Sequence, residues 1–182
     1  MIRILLLCLP LAAAADTGGV VFPERWTLGQ TGLIRNGEGL REYGFMGIDI
    51  YAAALYLKTA AHDAAAVLSS SEPKVLHMHF LRDFTRQDTL KAWDHSFAQN
   101  CPPPCALPQK ELAAFQAFIP DSRRGDTQTY EFYADRVKVR ANSRPIGSVE
   151  GAAFSRLLLS TWIGAAPPTE ALKRALLGLD RE

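Results

Sequence analysis

A single arginine interrupts an apolar stretch in the first third of the chain. The segment Gly39-Leu40-Arg41-Glu42-Tyr43-Gly44-Phe45 comes just before the most apolar strand-like run of the sequence. On an extended strand, Arg41, Tyr43 and Phe45 project from one face. If that face points into the core, the guanidinium needs an anionic partner, either Asp49 or the carboxylate of a ligand. If the face is exposed, Arg41 is an ordinary surface residue.

The histidines and the glycine-rich segment do not indicate a further site. His77 and His79 project from one side of a strand-like segment. A metal would need a third ligand, and none is close in sequence, so hydrogen-bonded or solvated histidines are the simpler interpretation. Asn36-Gly37-Glu38-Gly39 begins like a dinucleotide-binding loop, but Glu42 occupies the position of the third glycine. The sequence therefore predicts neither a metal site nor a cofactor.

The cysteines are few and two of them are close together. Cys101 and Cys105 bracket three prolines, whereas Cys8 lies in the N-terminal apolar run. Three prolines in polyproline II would hold the pair roughly 12 Å apart, beyond the Cα separation of about 7 Å that a disulfide tolerates. A turn or a cis proline must therefore intervene. Because an oxidising compartment favours bridging, we predict a disulfide between Cys101 and Cys105, with a redox-active or metal-binding role as the alternative.

The first fifteen residues have the pattern of a secretory signal peptide. Arg3 precedes a short apolar run, and Ala13-x-Ala15 forms a small-residue cleavage site. The run is shorter than the roughly 20 residues of a membrane-spanning helix. Cleavage after Ala15 would leave residues 16–182 as one domain, periplasmic or secreted, without an integral membrane segment.

The charge balance argues against two classes of partner. The chain has 20 Lys+Arg and 19 Asp+Glu, and losing Arg3 with the signal peptide leaves 19 of each. A balanced chain without a basic run has no electrostatic basis for binding nucleic acid or anionic lipid. The hydrophobic fraction of 48% excludes a disordered chain.

Periodicity and turn signals predict the elements that would position these residues. Asn36-Gly37 predicts a turn closing a strand that ends at Arg35, with a second β segment starting at Gly39. An alanine-rich run predicts a helix over 60–71. Apolar spacing and end signals predict helices over 85–100, 109–118, 152–163 and 168–178, with Thr85 as an N-cap and Pro168 near a first turn. Tight turns join strands over 127–133, 136–141 and 145–149. This order predicts an α+β fold with helices on one face of an antiparallel sheet.

Segments spread over roughly residues 30–178 share their order and spacing with one protein family. They begin with Gly39-Leu40-Arg41 and the run from 47 to 57, and continue in Phe80-Leu81-Arg82-Asp83. The likeness is strongest from 142 to 178, through Pro145-Ile146-Gly147 and Trp162-Ile163-Gly164. Together they resemble the chalcone isomerase-like superfamily, specifically its exported bacterial branch. The resemblance implies an open-faced β-sandwich, in which a large, curved antiparallel sheet packs against a layer of helices with a ligand cleft between them.

The resemblance also implies roles for two residues. Arg41 matches the arginine that stabilises the substrate anion in the family's enzymes and holds the carboxylate in its fatty-acid binders. Tyr51 falls near the enzymes' catalytic threonine. The enzymes' later tyrosine has no match between Leu81 and Leu90, and cyclisation needs hydroxyl groups around the reacting atoms. We therefore expect a monomeric binding protein for a fatty acid or similar apolar carboxylate, with Arg41 as charge anchor and Tyr51 as hydroxyl donor.

Two other interpretations stay open. The same cleft would serve an isomerase or lyase of the chalcone isomerase type. Alternatively, the chain is a non-catalytic interaction protein with a collapsed cleft, in which Arg41 pairs with an acidic side chain. The volume of the cleft separates this last interpretation from the other two, and the hydroxyl groups around Arg41 separate a binder from an enzyme.

Overall fold

The computed structural model describes residues 17–180. The predicted signal peptide, residues 1–15, lies outside the described residues. The strands are β1 (Arg25–Leu28), β2 (Thr31–Tyr43), β3 (Ile48–Leu57), β4 (Lys74–Phe80), β5 (Thr127–Phe132), β6 (Arg136–Ala141) and β7 (Arg144–Glu150). The helices are α1 (Ala64–Ser69), α2 (Arg86–Asn100), α3 (Gln109–Ala117), α4 (Ala152–Ile163) and α5 (Glu170–Leu176). None of these helices combines the length and the hydropathy needed to cross a bilayer.

The seven strands form one curled antiparallel sheet in the order of the sequence, from β1 to β7. Each strand pairs with the next one along the chain even where helices intervene, as α2 and α3 do between β4 and β5. Helices α2 to α5 pack over one face of this sheet, the helical face. The predicted α+β fold, with a curved sheet and a layer of helices, is confirmed.

The predicted turn at Asn36-Gly37 is wrong, because β2 runs through these residues without interruption. Instead of a hairpin, the strand has a bulge between Arg35 and Gly37. The buried Asn36 side chain donates to the carbonyl oxygens of Ala61 and Leu176, both at 2.9 Å, and accepts from the Ala61 amide at 2.8 Å. The amide group of Asn36 therefore joins β2 to two other segments.

Glycines of β2 allow α5 to lie directly on the sheet. A Cβ atom at Gly37 would collide with the backbone carbonyl oxygens of Ala175 and Leu176. At Gly39 it would overlap the Cβ of Ala175. Because backbone atoms cannot move aside as a flexible side chain can, the small residues here are required by the approach of the helix rather than by a turn.

The helix boundaries agree with the sequence prediction at some ends and differ at others. Thr85 caps α2 as predicted, since its Oγ1 accepts from the Asp88 amide at 3.1 Å. The last helix begins later than predicted: Pro168, expected in its first turn, precedes the helix, and Thr169 is the N-cap. The first helix is confined to Ala64–Ser69, where Asp63 supplies the N-cap that residues 60–62 lack.

Two apolar layers bury the two faces of the sheet. The larger one fills the space between the helical face and the helices, and its largest buried side chains include Trp162, Tyr130 and Phe115. The smaller one lies on the opposite face, where Phe22, which precedes β1, and Trp26 of β1 pack over β3 and β4. Strand β3 contributes side chains to both layers because successive side chains point to opposite faces. Ala53, Leu55 and Leu57 belong to the larger layer, and Ala52, Ala54 and Tyr56 belong to the smaller one.

Candidate functional site

A cavity of about 660 Å³ opens between the helical face of the sheet and the helices. This volume lies within the range typical of sites that bind small molecules. Strands β2 to β5 form one side of the cavity, and α2, the end of α4 and the segment 166–168 form the other. Most of its wall is apolar or aromatic, from the side chains Ile50, Met78, Phe80, Phe84, Ala92, Trp93, Trp162, Pro167 and Pro168.

Arg41 and Tyr51 both line this cavity. They are Cα partners on the antiparallel strands β2 and β3, so their side chains share the helical face. A bulge follows at this point, because Glu42 pairs with Asp49 and Ile50 is the extra residue on β3. The bulge explains why Ile50 and Tyr51, although adjacent in sequence, both reach the cavity.

The surroundings of Arg41 exclude the internal ion pair that the sequence left open. Asp49 lies opposite Glu42 and is exposed. Within residues 17–180, no acidic side chain forms a salt bridge with Arg41. Its guanidinium donates to the main-chain carbonyl of Glu42. Arg41 is therefore a half-buried cation in the wall of a largely apolar cavity. Among residues 17–180, its other N–H groups have no acceptor and are available to an anion.

The expectation that Phe45 shares a face with Arg41 is wrong. Strand β2 ends at Tyr43, and Phe45 lies in the turn Gly44–Gly47, where it is fully exposed. Tyr43 lines the outer part of the cavity while 64% of it stays exposed. The segment that looked like one continuous face in the sequence is thus divided between the cavity and the tip of a hairpin.

Tyr51 has a hydroxyl group that stays protonated. Burial raises the pKa of Tyr51 well above that of an ordinary tyrosine, while the indole N–H of Trp162 and the positive charge of Arg41 act in the opposite direction. A neutral phenol beside a guanidinium is able to donate a hydrogen bond to the same anion. The pair therefore offers a cation and a neutral donor side by side.

Aromatic residues of the hydrophobic core also form part of the cavity wall. Trp93 of α2 and Trp162 of α4 pack edge to face with ring centroids 5.3 Å apart. Tyr130 of β5 lies against Trp162 at 5.1 Å. Both tryptophans line the cavity, so they belong to the core and to the site at once.

The polar cavity residues that the sequence did not indicate include Gln128, Tyr130 and Thr161. Tyr130 donates its hydroxyl to Gln128 Oε1 at 2.6 Å, and Gln128 donates to Ser122 Oγ at 3.4 Å. Thr161 donates to the carbonyl of Leu158 at 2.7 Å. Alternation along β5 places Gln128, Tyr130 and Phe132 on one face, which was the available signal. That this face is the helical one depends on strand pairing, which the sequence did not specify.

The histidine pair lies on the other face of the sheet. His77 bonds Thr129 Oγ1 at 2.8 Å and packs against Trp26 with ring centroids 5.0 Å apart. Burial, with a smaller contribution from His79, lowers the pKa of His77 to about 4. No group of three or more metal-ligating side chains occurs in the described part of the chain. The His77 contacts fit the simpler interpretation, a hydrogen-bonded strand histidine.

Cys101 and Cys105 form a disulfide, with Cα atoms 5.1 Å apart. The peptide bond between Pro103 and Pro104 is cis. The bridge follows the last residue of α2, Asn100, whose side chain bonds the backbone of Ala166 at 2.8 and 3.2 Å. Ala166 belongs to the cavity wall, so the end of α2 holds one side of the site in place.

Comparisons with known proteins agree with this geometry. Among solved structures, a fatty-acid binding protein of Arabidopsis thaliana is similar, with a TM-score of 0.72 and 16% sequence identity. The match covers 87% of this chain and 92% of that one, and at this identity it establishes the fold alone. No curated protein sequence matches. The model of the chalcone isomerase-like family matches residues 14–178. The chain, with its curled sheet, helical layer and intervening cavity, therefore belongs to the chalcone isomerase-like family.

Proposed function

We propose that this protein binds a fatty acid or a similar apolar carboxylate in the cavity. The observation that carries the proposal is Arg41, a half-buried cation without an acidic partner in residues 17–180, located where an apolar cavity of about 660 Å³ meets the sheet. An alkyl chain would occupy the apolar part, and Arg41 with Tyr51 would bind the carboxylate. The similar fold of the Arabidopsis fatty-acid binding protein supports the proposal.

The cavity also bears on the other two interpretations. Its volume argues against a collapsed cleft and hence against a protein whose cleft has no ligand. For an isomerase, hydroxyl groups must be free to act on the substrate. Tyr130, Thr161 and Thr89 donate their hydroxyl protons to protein acceptors. The Tyr51 hydroxyl beside Arg41 is placed to bind the same anion as the guanidinium. Binding is therefore the function that we favour over catalysis.

Two matched ligands test the proposal directly. A fluorescent long-chain fatty acid is titrated into the purified protein and then displaced by hexadecanoic acid or by hexadecanol. Both compounds have the same chain length, but only the acid carries a charge for Arg41. We expect the acid to displace the probe at a much lower concentration than the alcohol. Equal potency would contradict carboxylate recognition, and turnover of an added chalcone would favour the isomerase.

We further propose that the protein is an exported bacterial member of its family that acts as a monomer in the periplasm or outside the cell. The signal-peptide pattern of residues 1–15 supports export. N-terminal sequencing of protein isolated from the cell envelope should begin at Asp16. A protein that retains Met1 in the cytoplasm would contradict export without affecting the binding proposal.

A further inference from the structure

The turn between β2 and β3 exposes two large apolar side chains at its tip. Phe45 is fully exposed and Met46 is 74% exposed. They occupy the middle of the turn Gly44–Gly47, whose two glycines have positive φ values of 71° and 61°. These backbone conformations favour glycine and hold the tip in a tight turn. Tyr43 precedes the turn and is itself 64% exposed.

This apolar tip (Tyr43, Phe45 and Met46) is continuous with the cavity. Tyr43 belongs to both, because it also lines the outer part of the cavity. The two strands that carry the tip also carry the ligand-binding pair. Arg41 lies two residues before Tyr43 on β2, and Tyr51 lies three residues after Ile48 on β3. A ligand leaving the cavity along β2 would therefore pass the tip.

The apolar area of the tip distinguishes between a protein partner and a lipid surface. Aromatic side chains bury about 150–250 Å² each, so Tyr43 and Phe45 together offer roughly 300–500 Å², to which Met46 adds. A stable protein interface needs about 800 Å² on each partner. Binding to a lipid surface has no such minimum area, because its strength increases with the apolar area that enters the interface. Glu42 and Asp49, both exposed, pair across the hairpin just behind the tip and would remain in water.

We propose that the apolar tip inserts into the surface of a lipid bilayer, and that the protein collects or delivers its apolar ligand there. This inference rests on the proposed function, because a fatty acid in equilibrium with a membrane is concentrated in the bilayer. Contact at the tip would place the mouth of the cavity next to the acyl chains. The insertion is apolar rather than electrostatic, since acidic residues flank the tip and no run of basic residues accompanies it.

The unliganded full-length mature protein is tested for flotation with phosphatidylcholine vesicles. We expect the wild type to bind at low and high salt, and Phe45→Ser/Met46→Ser to lose at least about tenfold in partitioning. The matched control is Val21→Ser/Leu179→Ser, which removes two exposed apolar side chains located elsewhere and should bind like the wild type. The inference would be overturned if the wild type floats no more than background or if salt releases it from the vesicles. It would also be overturned if the control variant loses as much vesicle binding as the tip variant.

A second arm separates this inference from the proposed function. Fatty-acid affinity measured without vesicles should be equal in the wild type and in Phe45→Ser/Met46→Ser. The rate of fatty-acid transfer from vesicles to protein should fall only in the tip variant. If neither protein binds the fatty acid in solution, the proposed function is rejected. If the tip variant takes up fatty acid from vesicles at the wild-type rate, insertion is rejected. A wild-type dimer that Phe45→Ser/Met46→Ser converts to a monomer would identify the tip as a protein interface and overturn the inference.

Discussion

Arg41 and Tyr51 lie opposite each other on β2 and β3 in the wall of a largely apolar cavity, and Arg41 has no acidic partner in the described chain. A cation in such a place is costly unless something compensates for its lost hydration. The arrangement therefore favours a ligand that supplies the negative charge.

Replacing Arg41 with alanine should abolish most carboxylate binding and leave the fold intact. A hydrogen bond to a charged group contributes about 1.5–3 kcal/mol, so affinity should fall roughly ten- to more than hundredfold. The unliganded protein should not lose stability, because a poorly solvated charge disappears. Titration with the fluorescent fatty acid measures the affinity of Arg41→Ala, and thermal melts measure its stability without ligand. Arg144→Ala is the control, since Arg144 is exposed on β7 away from the cavity. A lowered melting temperature with unchanged affinity would indicate an internal structural role instead.

Replacing Tyr51 with phenylalanine should weaken binding less. The ring remains, and one neutral hydrogen bond of about 0.5–1.5 kcal/mol is lost, so affinity should fall roughly two- to tenfold. Tyr133→Phe is the control, because Tyr133 packs with the smaller apolar layer and is not part of the cavity wall. A Tyr51→Phe protein that binds like the wild type would remove Tyr51 from the site.

The protonation of Tyr51 predicts a pH dependence. Since burial raises the pKa of Tyr51 above the usual value of about 10, its hydroxyl remains a donor in alkaline solution. Wild-type affinity for the fatty acid should therefore stay constant between about pH 7 and pH 9.5. A decline in affinity toward pH 9.5 that is absent in Tyr51→Phe would show that Tyr51 ionises in this range.

Stability should fall in mildly acidic solution because of His77. Its pKa is lowered to about 4 in the folded protein, against about 6.5 in an unfolded chain. Between these values the unfolded state binds the proton more readily, so the free energy of unfolding decreases as the pH falls from about 6.5 to about 4, by up to about 3 kcal/mol. Urea unfolding at several pH values measures this slope. His77→Gln should reduce the slope, whereas His95→Gln, at an exposed position of α2, should keep it.

Adding a methyl group at Gly37 should destabilise the fold. The new Cβ would meet the carbonyl oxygens of Ala175 and Leu176, which belong to the backbone of α5. Overpacking of this kind typically costs about 1–3 kcal/mol. Gly32→Ala is the matched control on the same strand, because a Cβ there meets no atom within 4 Å. Equal urea midpoints for the two variants would show that α5 moves aside at little cost.

The sequence by itself determined most of the elements and the class of the fold. Turn signals and alternation located the strands from 127 to 149, and helical spacing with an N-cap located α2, because these features depend on neighbours in the chain. It also indicated Arg41 as unusual, since a charge within an apolar stretch is visible without a structure. The pairing of Cys101 with Cys105 depended only on two nearby residues.

Tertiary structure alone decided which residues form the site. Asn36-Gly37 has the composition of a turn, but contacts with α5 and Ala61 hold it inside a continuous strand. Whether Gln128 and Tyr130 face the cavity or the opposite side depends on the register of β5 with β4. A slip of one residue in this register would move every side chain of β5 to the other face of the sheet. The bulge beside Arg41 was likewise not predictable from the sequence, because it arises from the pairing of β2 with β3 and not from either strand alone.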